Sequence, residues 1–162
     1  MMVQNNANNG EFDASVPQGS VLAQTFSDYL NRQKAICDEL ESIADSLPNN
    51  VNNQICLQAS QTLLPLIKLA HQFEEAQLFP LLTGPSYSHL GLDQAIKRLS
   101  SEHLSDEDYA EDLCKAIQNY LVLADYGRAE SLAWMLRGFF ENIRRHIAFE
   151  REQILPLINK LG

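Results

Sequence analysis

The two stretches HQFEEAQLFPLL (residues 71–82) and HIAFEREQILPLI (residues 146–158) decide the fold. In each, the opening histidine is followed four residues later by a glutamate and then, after further apolar residues, by a Pro-Leu step. The pairs are His71 with Glu75 and His146 with Glu150. Residues four apart lie above one another on an α-helix, so each pair presents an imidazole beside a carboxylate. The repeated phrase predicts two helices that carry the same chemistry.

The helical period of these stretches extends from about Ser20 to the end of the chain, and no segment has the period of a strand. Four helices are predicted: Ser20 to Ser46, Asn52 to Leu82 with Pro65 as a kink point, a third from Asp93 that SDED tightens near Ser105, and Arg128 to Lys160. Short connections favour antiparallel neighbours. We expect an all-α fold, an antiparallel up-down-up-down four-helix bundle over residues 20–162.

Residues 1–19 differ from the rest of the chain because they are rich in Asn and Gly and poor in large apolar side chains. Such a segment cannot bury enough apolar surface to offset the entropy lost on ordering. We expect a flexible N-terminal tail.

The composition limits the classes of function. With 162 residues and 45% hydrophobic residues, the chain has the size and apolar content of one ordinary domain. A formal charge of -9 argues against nucleic acid, which draws its affinity from clustered Lys and Arg. There is no signal-peptide pattern and no apolar run long enough for a membrane span, so no membrane contact and a cytoplasmic location are expected. Cys37, Cys56 and Cys114 form no CxxC pair, which predicts reduced thiols in the core.

The two His–Glu pairs fall on the apolar stripes of their helices, and His103 falls on the stripe of the third helix. An ionised carboxylate there costs several kcal/mol unless it is paired or bound to metal. Two interpretations stay open. The histidines are core residues satisfied by glutamates, or the five donors hold iron, manganese or zinc; the absence of cysteine disfavours a structural zinc site. His89, in a turn-rich loop, is predicted to be a surface residue.

Other kinds of site lack their residues. Ferritin-like di-iron bundles place Glu three residues before His, but Lys68, Ser86, Ser100 and Ile143 hold those positions here. No HExxH helix, GxSxG elbow or glycine-rich phosphate loop is present. Conventional hydrolase and nucleotide-binding functions are therefore excluded.

From about Ser20 to Leu161 the chain resembles the hemerythrin-like domains, also called HHE cation-binding domains. The resemblance rests on HQFEEAQLFPLL, RLSSEHLSDEDYAEDL and RRHIAFEREQILPLI, which give the order HxxxE, EH, HxxxE. It implies a non-haem di-iron centre inside a four-helix bundle. By motif match, His71, His103 and His146 would be terminal ligands, and Glu75 and Glu150 would bridge the metals. Such domains bind oxygen, sense iron, oxygen or redox state, or handle nitric oxide.

The chain departs from this family on the first helix, where members usually have a histidine. Its counterpart falls near Tyr29 or Leu30, and the first helix contains no histidine. The oxygen carriers also have a histidine where this chain has Leu99. Water, Gln33 or Tyr29 could fill the open position, and Gln72 is a further donor. Glu74, Glu102 and Asp106 are candidates to hold the ligands by hydrogen bonds.

The sequence thus predicts a metal-binding hemerythrin-like domain that senses or binds iron, oxygen or nitric oxide. The alternative is a degenerate bundle with weak or no metal that acts as a regulatory or interaction module, and the missing histidine favours it. An iron-dependent repair enzyme is a third reading, but no residue singles out catalysis. The sequence identifies no protein partner.

Overall fold

A computed structural model describes residues 18–123 and 125–161, and within these ranges the chain is all-helical with no strand. Four long helices make the body of the fold: α1 (Gln18–Ser46), α2 (residues 53–82), α3 (Asp93–Leu123) and α4 (residues 129–159). Short 3-10 turns, Ser88–Leu90 and Tyr126–Arg128, precede α3 and α4. The predicted all-α class is confirmed. Residues 1–17 of the predicted tail lie outside the described residues, and α1 begins two residues earlier than predicted.

Local sequence signals explain where the helices begin and end. The Asn52 side-chain oxygen accepts hydrogen bonds from the backbone N–H groups of Gln54 (3.0 Å) and Ile55 (3.2 Å), so Asn52 caps the start of α2. α1 ends at Ser46, shortly before Pro48, which cannot continue a helix. These boundaries agree with the predicted ones to within two residues.

α2 and α4 each contain one π-helical turn that the sequence pattern did not predict. α2 consists of Asn53–Phe73, the π turn Glu74–Leu78 and Phe79–Leu82, and α4 consists of Ala129–Phe149, the π turn Glu150–Ile154 and Leu155–Asn159. In these turns the N–H of Phe79 donates to the carbonyl of Glu74, and the N–H of Leu155 to that of Glu150. A π turn takes up more residues than an α turn, so it changes which side chains face inward.

Pro65 does not end α2, and the break that SDED suggested in α3 is not present. α2 remains α-helical through Pro65, and α3 continues through SDED, residues 105–108. Asp106 of this segment is buried, and its Oδ1 accepts a hydrogen bond of 2.6 Å from Asn142 Nδ2 on α4. This tertiary contact holds the polar segment in the helix.

The predicted apolar stripes form the core, with a few members at its edge. Large fully buried side chains come from all four helices, among them Phe26, Leu40, Ile67, Leu99, Leu113 and Phe139. The three cysteines are buried and free, as predicted, and burial raises the pKa of Cys37 to about 12. His89 is exposed, as predicted. Among the described residues, no helix has both the length and the apolar character that spanning a membrane requires.

Polar pairs along the outside of α1 and α4 fix how these two helices face each other. Arg151 donates to Asn31 (2.7 Å), Arg144 to Asp38 (2.9 Å) and Arg137 to Asp45 (2.9 Å). As the residue number rises on α1, the number of its partner falls on α4. These contacts show which residues of α1 and α4 lie at the same height along the helix axes.

Candidate metal centre

Four donors from three helices meet in the interior. Glu74 comes from α2, His103 from α3, and His146 and Glu150 from α4; each offers a ligand atom, and these atoms all lie within 4.8 Å of one another. All four residues are buried, and the most exposed, His146, is only 8% exposed. Two imidazoles and two carboxylates therefore share one water-poor space.

The inner ring nitrogens of the two histidines face the two glutamates. His103 Nε2 lies 3.1 Å from Glu74 Oε2, and His146 Nε2 lies 3.0 Å from Glu150 Oε1. The second contact is aligned as a hydrogen bond, whereas the first is not. The two glutamates thus each have a histidine partner from α3 or α4.

Several polar atoms of this cluster have no hydrogen-bond partner in the part of the chain that the structure describes. They are both carboxylate oxygens of Glu74, Oε2 of Glu150 and Nε2 of His103. Leaving a buried polar atom unpaired costs roughly 1–3 kcal/mol, and more when the group is charged. A cation bound between these atoms would satisfy them together, so the donor set fits a metal.

Burial makes the two carboxylates hard to ionise in the absence of a cation. Burial and the neighbouring charge of Glu150 raise the pKa of Glu74 to about 8. Burial raises the pKa of Glu150 to about 7, against the opposing effects of Glu74 and His103. Like charges in a dry interior disfavour the doubly ionised state. A metal ion reverses this preference because it supplies the missing positive charge.

The surroundings raise the pKa of one histidine and lower the pKa values of the other two. Burial by itself lowers the pKa of His103, but the Glu74 and Glu75 carboxylates outweigh it and raise that pKa to about 9. Burial lowers the pKa of His71 to about 2 and also lowers the pKa of His146. His71 and His146 are therefore neutral imidazoles at neutral pH, the form that binds metals.

Each of the three histidines presents its other ring nitrogen, Nδ1, to a carboxylate on the rim. His103 Nδ1 lies 2.8 Å from Glu75 Oε1, and His71 Nδ1 lies 3.0 Å from Glu107 Oε1. The outer nitrogen of the third ring has two longer contacts. His146 Nδ1 is 3.5 Å from Glu102 and 3.6 Å from Asp106. Acids in this position fix the ring and leave Nε2 for a metal.

His71 lies beside the cluster and is not one of its four members. Its ring stacks on that of His103 with centroids 3.8 Å apart and planes 9° from parallel, and His71 is 3% exposed. Its centroid is 6.2 Å from that of His146. The structure therefore brings His71, His103, His146 and Glu150 of the predicted ligands into one buried neighbourhood.

Glu75, the remaining predicted ligand, is not brought into the cluster. Its side chain is 45% exposed, whereas that of the adjacent Glu74 is 1% exposed. The chain is α-helical up to Glu74, so the residues three and four after His71 both lie near its face, and of these two glutamates it is Glu74 whose side chain is buried. A signal for Glu74 was available: it precedes Pro80 by six residues, as Glu150 precedes Pro156.

The acids predicted to support the ligands, and the α1 residues predicted to fill the open position, lie at different distances from the cluster. Asp106 and Glu102 flank His146, as expected for supporting acids, whereas Glu74 is itself in the cluster. On α1, Gln33 is buried at 1% exposure, and the Tyr29 ring packs on Phe73 with centroids 5.3 Å apart. The described part of α1 brings no imidazole to the centre.

Two clefts reach the histidines from outside. The larger, of about 590 Å³, lies between α2 and α3 and is lined by His71, Gln72, Glu75, Ala76, His103, Leu104 and Glu107. A smaller one of about 200 Å³, between α3 and α4, is lined by Arg98, Glu102, Asn142, Arg145, His146 and Phe149. Small molecules can approach His103 through the first cleft and His146 through the second.

The kinds of donor atom in the cluster limit which metals it can bind. Imidazole nitrogens and carboxylate oxygens without a thiolate suit iron, manganese or zinc. The buried Glu/His cluster is thus a potential metal-binding site, with supporting acids on its rim and the larger cleft beside it.

The comparison with known families agrees with this geometry. The family described as hemerythrin HHE cation-binding domain matches residues 27–158, which includes every member of the cluster. No curated protein and no solved structure matches the chain. The family match covers most of the 162 residues and confirms the resemblance inferred from the motifs. The chain belongs to the hemerythrin HHE cation-binding domain family.

Proposed function

We propose that this chain binds iron in the buried cluster and that it senses or binds iron, oxygen or nitric oxide. The observation that carries the proposal is the group of buried carboxylate and imidazole atoms that have no hydrogen-bond partner among the described residues. A fold that placed these groups together for packing alone would leave several polar atoms unpaired. A bound cation removes that cost.

Glu74, His103, His146 and Glu150 are the inner ligands of this proposal, and His71 is a further imidazole on the side of the large cleft. In this proposal Glu74 would hold the metal in place of Glu75, to which the family resemblance gave a bridging role. Its burial supports this assignment, as do its carboxylate oxygens: Oε1 has no hydrogen-bond partner among the described residues, and Oε2 faces His103 Nε2 at 3.1 Å without being aligned as a hydrogen bond. Glu75 instead holds His103 through Nδ1, at 2.8 Å.

The metal-free protein is expected to be less stable than the loaded one, and this difference supports a sensing role. Glu74 and Glu150 must either stay protonated or face each other as anions, as their raised pKa values indicate. Binding to the folded chain alone adds about 2.7 kcal/mol of stability when free metal is 100 times its dissociation constant. Iron would thus control how much of the bundle is folded.

Bound iron would supply redox chemistry and coordination positions for oxygen or nitric oxide. The protein would contribute the surroundings. Leu78 and Leu99 are among the buried apolar residues of α2 and α3 that limit water in the interior. His71 and His103 face the larger cleft, where a small ligand would arrive.

We also propose that the four helices alternate in direction, up-down-up-down. The α1–α4 pairs described above support this arrangement. Between α2 and α3, His71 contacts Glu107 while Glu75 contacts His103, so the order is again reversed. Distance measurements between spin labels at the two ends of the helices would test the topology. Labels on Ser20 and Asn159, which are both exposed, are expected to lie close together, and a separation near the length of the bundle would contradict it.

A cytoplasmic location without nucleic-acid or membrane binding is part of the same proposal. The three buried free thiols and the formal charge of -9 support it. Cell fractionation with a nucleic-acid binding assay tests it. Recovery of the chain with membranes, or binding to DNA or RNA at moderate salt, would contradict it.

A second candidate is a degenerate bundle that binds metal weakly or not at all and acts through a protein partner. The absence of histidine from α1 favours it. One fewer imidazole would leave one metal position weak and labile.

One experiment separates the two candidates. The purified chain is loaded with ferrous iron without oxygen, freed of excess metal, analysed for iron per chain, and then exposed to oxygen or nitric oxide while its absorption spectrum is recorded. The first candidate predicts retained iron, a higher melting temperature and spectral change on exposure. A chain that retains neither iron, manganese nor zinc would support the second.

A further inference from the structure

The cluster draws its ligands from α2, α3 and α4, and α1 lies against the remaining side. α1 packs against α4 and also contacts the π turn Glu74–Leu78 of α2. The interior face of α1 therefore borders the space that contains the cluster.

Gln33 is the buried polar residue on this face within the described part of α1. It is 1% exposed, and its Nε2 has no hydrogen-bond partner among the described residues. The residues one turn away on the same stripe, Leu30 and Cys37, are apolar and fully buried. An unpaired buried amide destabilises a fold, and leucine at the same place would avoid that cost.

The contacts between α1 and α4 place Gln33 at the level of the cluster. Asn31 pairs with Arg151 at 2.7 Å, and Asp38 pairs with Arg144 at 2.9 Å. Gln33 lies between Asn31 and Asp38 on α1, and the segment between Arg144 and Arg151 on α4 contains the two α4 ligands, His146 and Glu150. Because all these residues sit on rigid helices that rise about 1.5 Å per residue, Gln33 and Glu150 are within about one helical turn in height.

We propose that Gln33 is a metal ligand of this centre through its amide oxygen. The inference rests on the proposed metal binding and adds the ligand from α1. An amide has nearly the same shape when its oxygen and nitrogen exchange places, so the oxygen can turn to a cation without repacking the core. The buried amide then has a partner, which the described residues do not provide.

An oxygen donor from α1 would also affect which metal ion the centre prefers. With Gln33, the centre has three oxygen-bearing ligands, Gln33, Glu74 and Glu150, beside its imidazoles. Oxygen donors suit manganese, whereas imidazole suits zinc, copper, iron and nickel. Replacing Gln33 by histidine is expected to move the preference from Mn²⁺ towards Zn²⁺.

The test compares Gln33→Leu, Gln33→Glu and the unchanged chain, with Leu30→Met as a matched control on the same stripe. The dissociation constants for Mn²⁺ and Zn²⁺ are measured by competition with a chromophoric chelator, and the melting temperature of each metal-free chain is measured beside them. Gln33→Leu is expected to weaken Mn²⁺ binding by about tenfold or more. Its metal-free form should melt no lower than the unchanged chain, so the loss cannot come from misfolding. Gln33→Glu should bind Mn²⁺ at least as tightly as the unchanged chain, and Leu30→Met should not differ from it.

The results would distinguish a failure of the Gln33 proposal from a failure of the proposed metal binding. Unchanged Mn²⁺ affinity in Gln33→Leu overturns the role of Gln33 and leaves the cluster standing. Weaker binding in both Gln33→Leu and Gln33→Glu also overturns ligation, because a carboxylate oxygen would replace an amide oxygen as a ligand. An unchanged chain that binds none of the metals overturns both this inference and the proposed function.

Discussion

Glu74 and Glu150 occupy the same position in two copies of one structural phrase: each begins a π turn, and each precedes a proline by six residues. Their histidines are not in the same register, because His146 precedes Glu150 by four residues whereas His71 precedes Glu74 by three. The two copies therefore agree in their glutamates and differ in their histidines. This difference explains why His71 lies beside the cluster while His146 lies in it.

Glutamine substitution of the adjacent acids Glu74 and Glu75 should have unequal effects. Glu74→Gln removes a buried negative charge that balances the cation, so metal content should fall strongly while helicity is kept. Glu75→Gln changes a side chain that is 45% exposed and leaves an oxygen that can still accept from His103. Metal analysis after identical loading, with circular dichroism, measures both.

Glu150→Gln is the matched comparison for Glu74→Gln, because both residues begin a π turn. The two variants should lose metal to a similar extent. A larger loss in Glu75→Gln than in Glu74→Gln would favour Glu75, which the family resemblance implies to be a bridging ligand.

Glu107 should control the orientation of His71. Its carboxylate accepts from His71 Nδ1 at 3.0 Å, so Glu107→Leu frees the ring, whereas Glu107→Gln keeps an acceptor. Losing the support of a direct ligand typically weakens metal binding by 10–100-fold, and the effect here should be smaller because His71 lies beside the four-residue cluster. Metal affinity and the imidazole tautomer seen by nitrogen NMR measure the effect. Glu111→Gln, an exposed acid paired with Lys115 on the same helix, is the control, and an equal effect there would rule out a specific role.

The stability of the metal-free chain should fall as pH rises from 7 to 9. The folded pKa values of Glu74 (about 8) and Glu150 (about 7) lie above the ordinary 4.5, and that of His103 (about 9) lies above 6.5. Groups with raised folded pKa values stabilise the fold fully below their unfolded pKa, and this contribution is lost as pH passes the folded value. Each excess proton in the folded state changes stability by about 1.4 kcal/mol per pH unit.

Urea unfolding of the chelator-treated chain at several pH values measures this slope. His71 and His146, whose pKa values are lowered, are neutral in both states above pH 7 and do not oppose the trend. Glu74→Gln should flatten the slope. Stability that rises between pH 7 and 9 would show that the two glutamates are not buried as described.

Arg144 should contribute more to stability than the other arginine contacts between α1 and α4. Its Nη2 lies 2.9 Å from Asp38 and 2.6 Å from Glu41, and its side chain is 28% exposed. Arg144→Met is expected to cost about 1–2 kcal/mol, since charge-assisted hydrogen bonds are the stronger kind. Arg137→Met, in a more exposed pair, should cost less than about 0.5 kcal/mol. Equal losses in denaturant unfolding would contradict this ranking.

The fold could be predicted from the sequence because the apolar stripes repeat with a helical period over long segments. Asn52 and Pro48 added local signals that fixed the helix ends. SDED suggested a break in α3 that does not occur, because the hydrogen bond between Asp106 and Asn142 outweighs the local preference. Long-range contacts of this kind are not encoded in any short window.

The site was harder to predict because it depends on a one-residue difference in helical register. The rule that residues four apart share a face selects Glu150, the buried partner of His146. For His71 the same rule selects Glu75, which lines the large cleft with His71, whereas the buried glutamate is Glu74, three residues on. Aligning the two phrases on their prolines would have selected Glu74. The outer contacts of His71 with Glu107 and His103 with Glu75 join different helices, so only the three-dimensional structure reveals them.

The most direct test of the central claim is the position of a bound metal. Crystals of the iron- or manganese-loaded chain, measured at the absorption edge of that metal, give its location by anomalous scattering. The account predicts a peak within bonding distance of Glu74, His103 Nε2, His146 Nε2 and Glu150. A peak confined to the large cleft at Glu75 and Glu107, with none at the buried cluster, would contradict it.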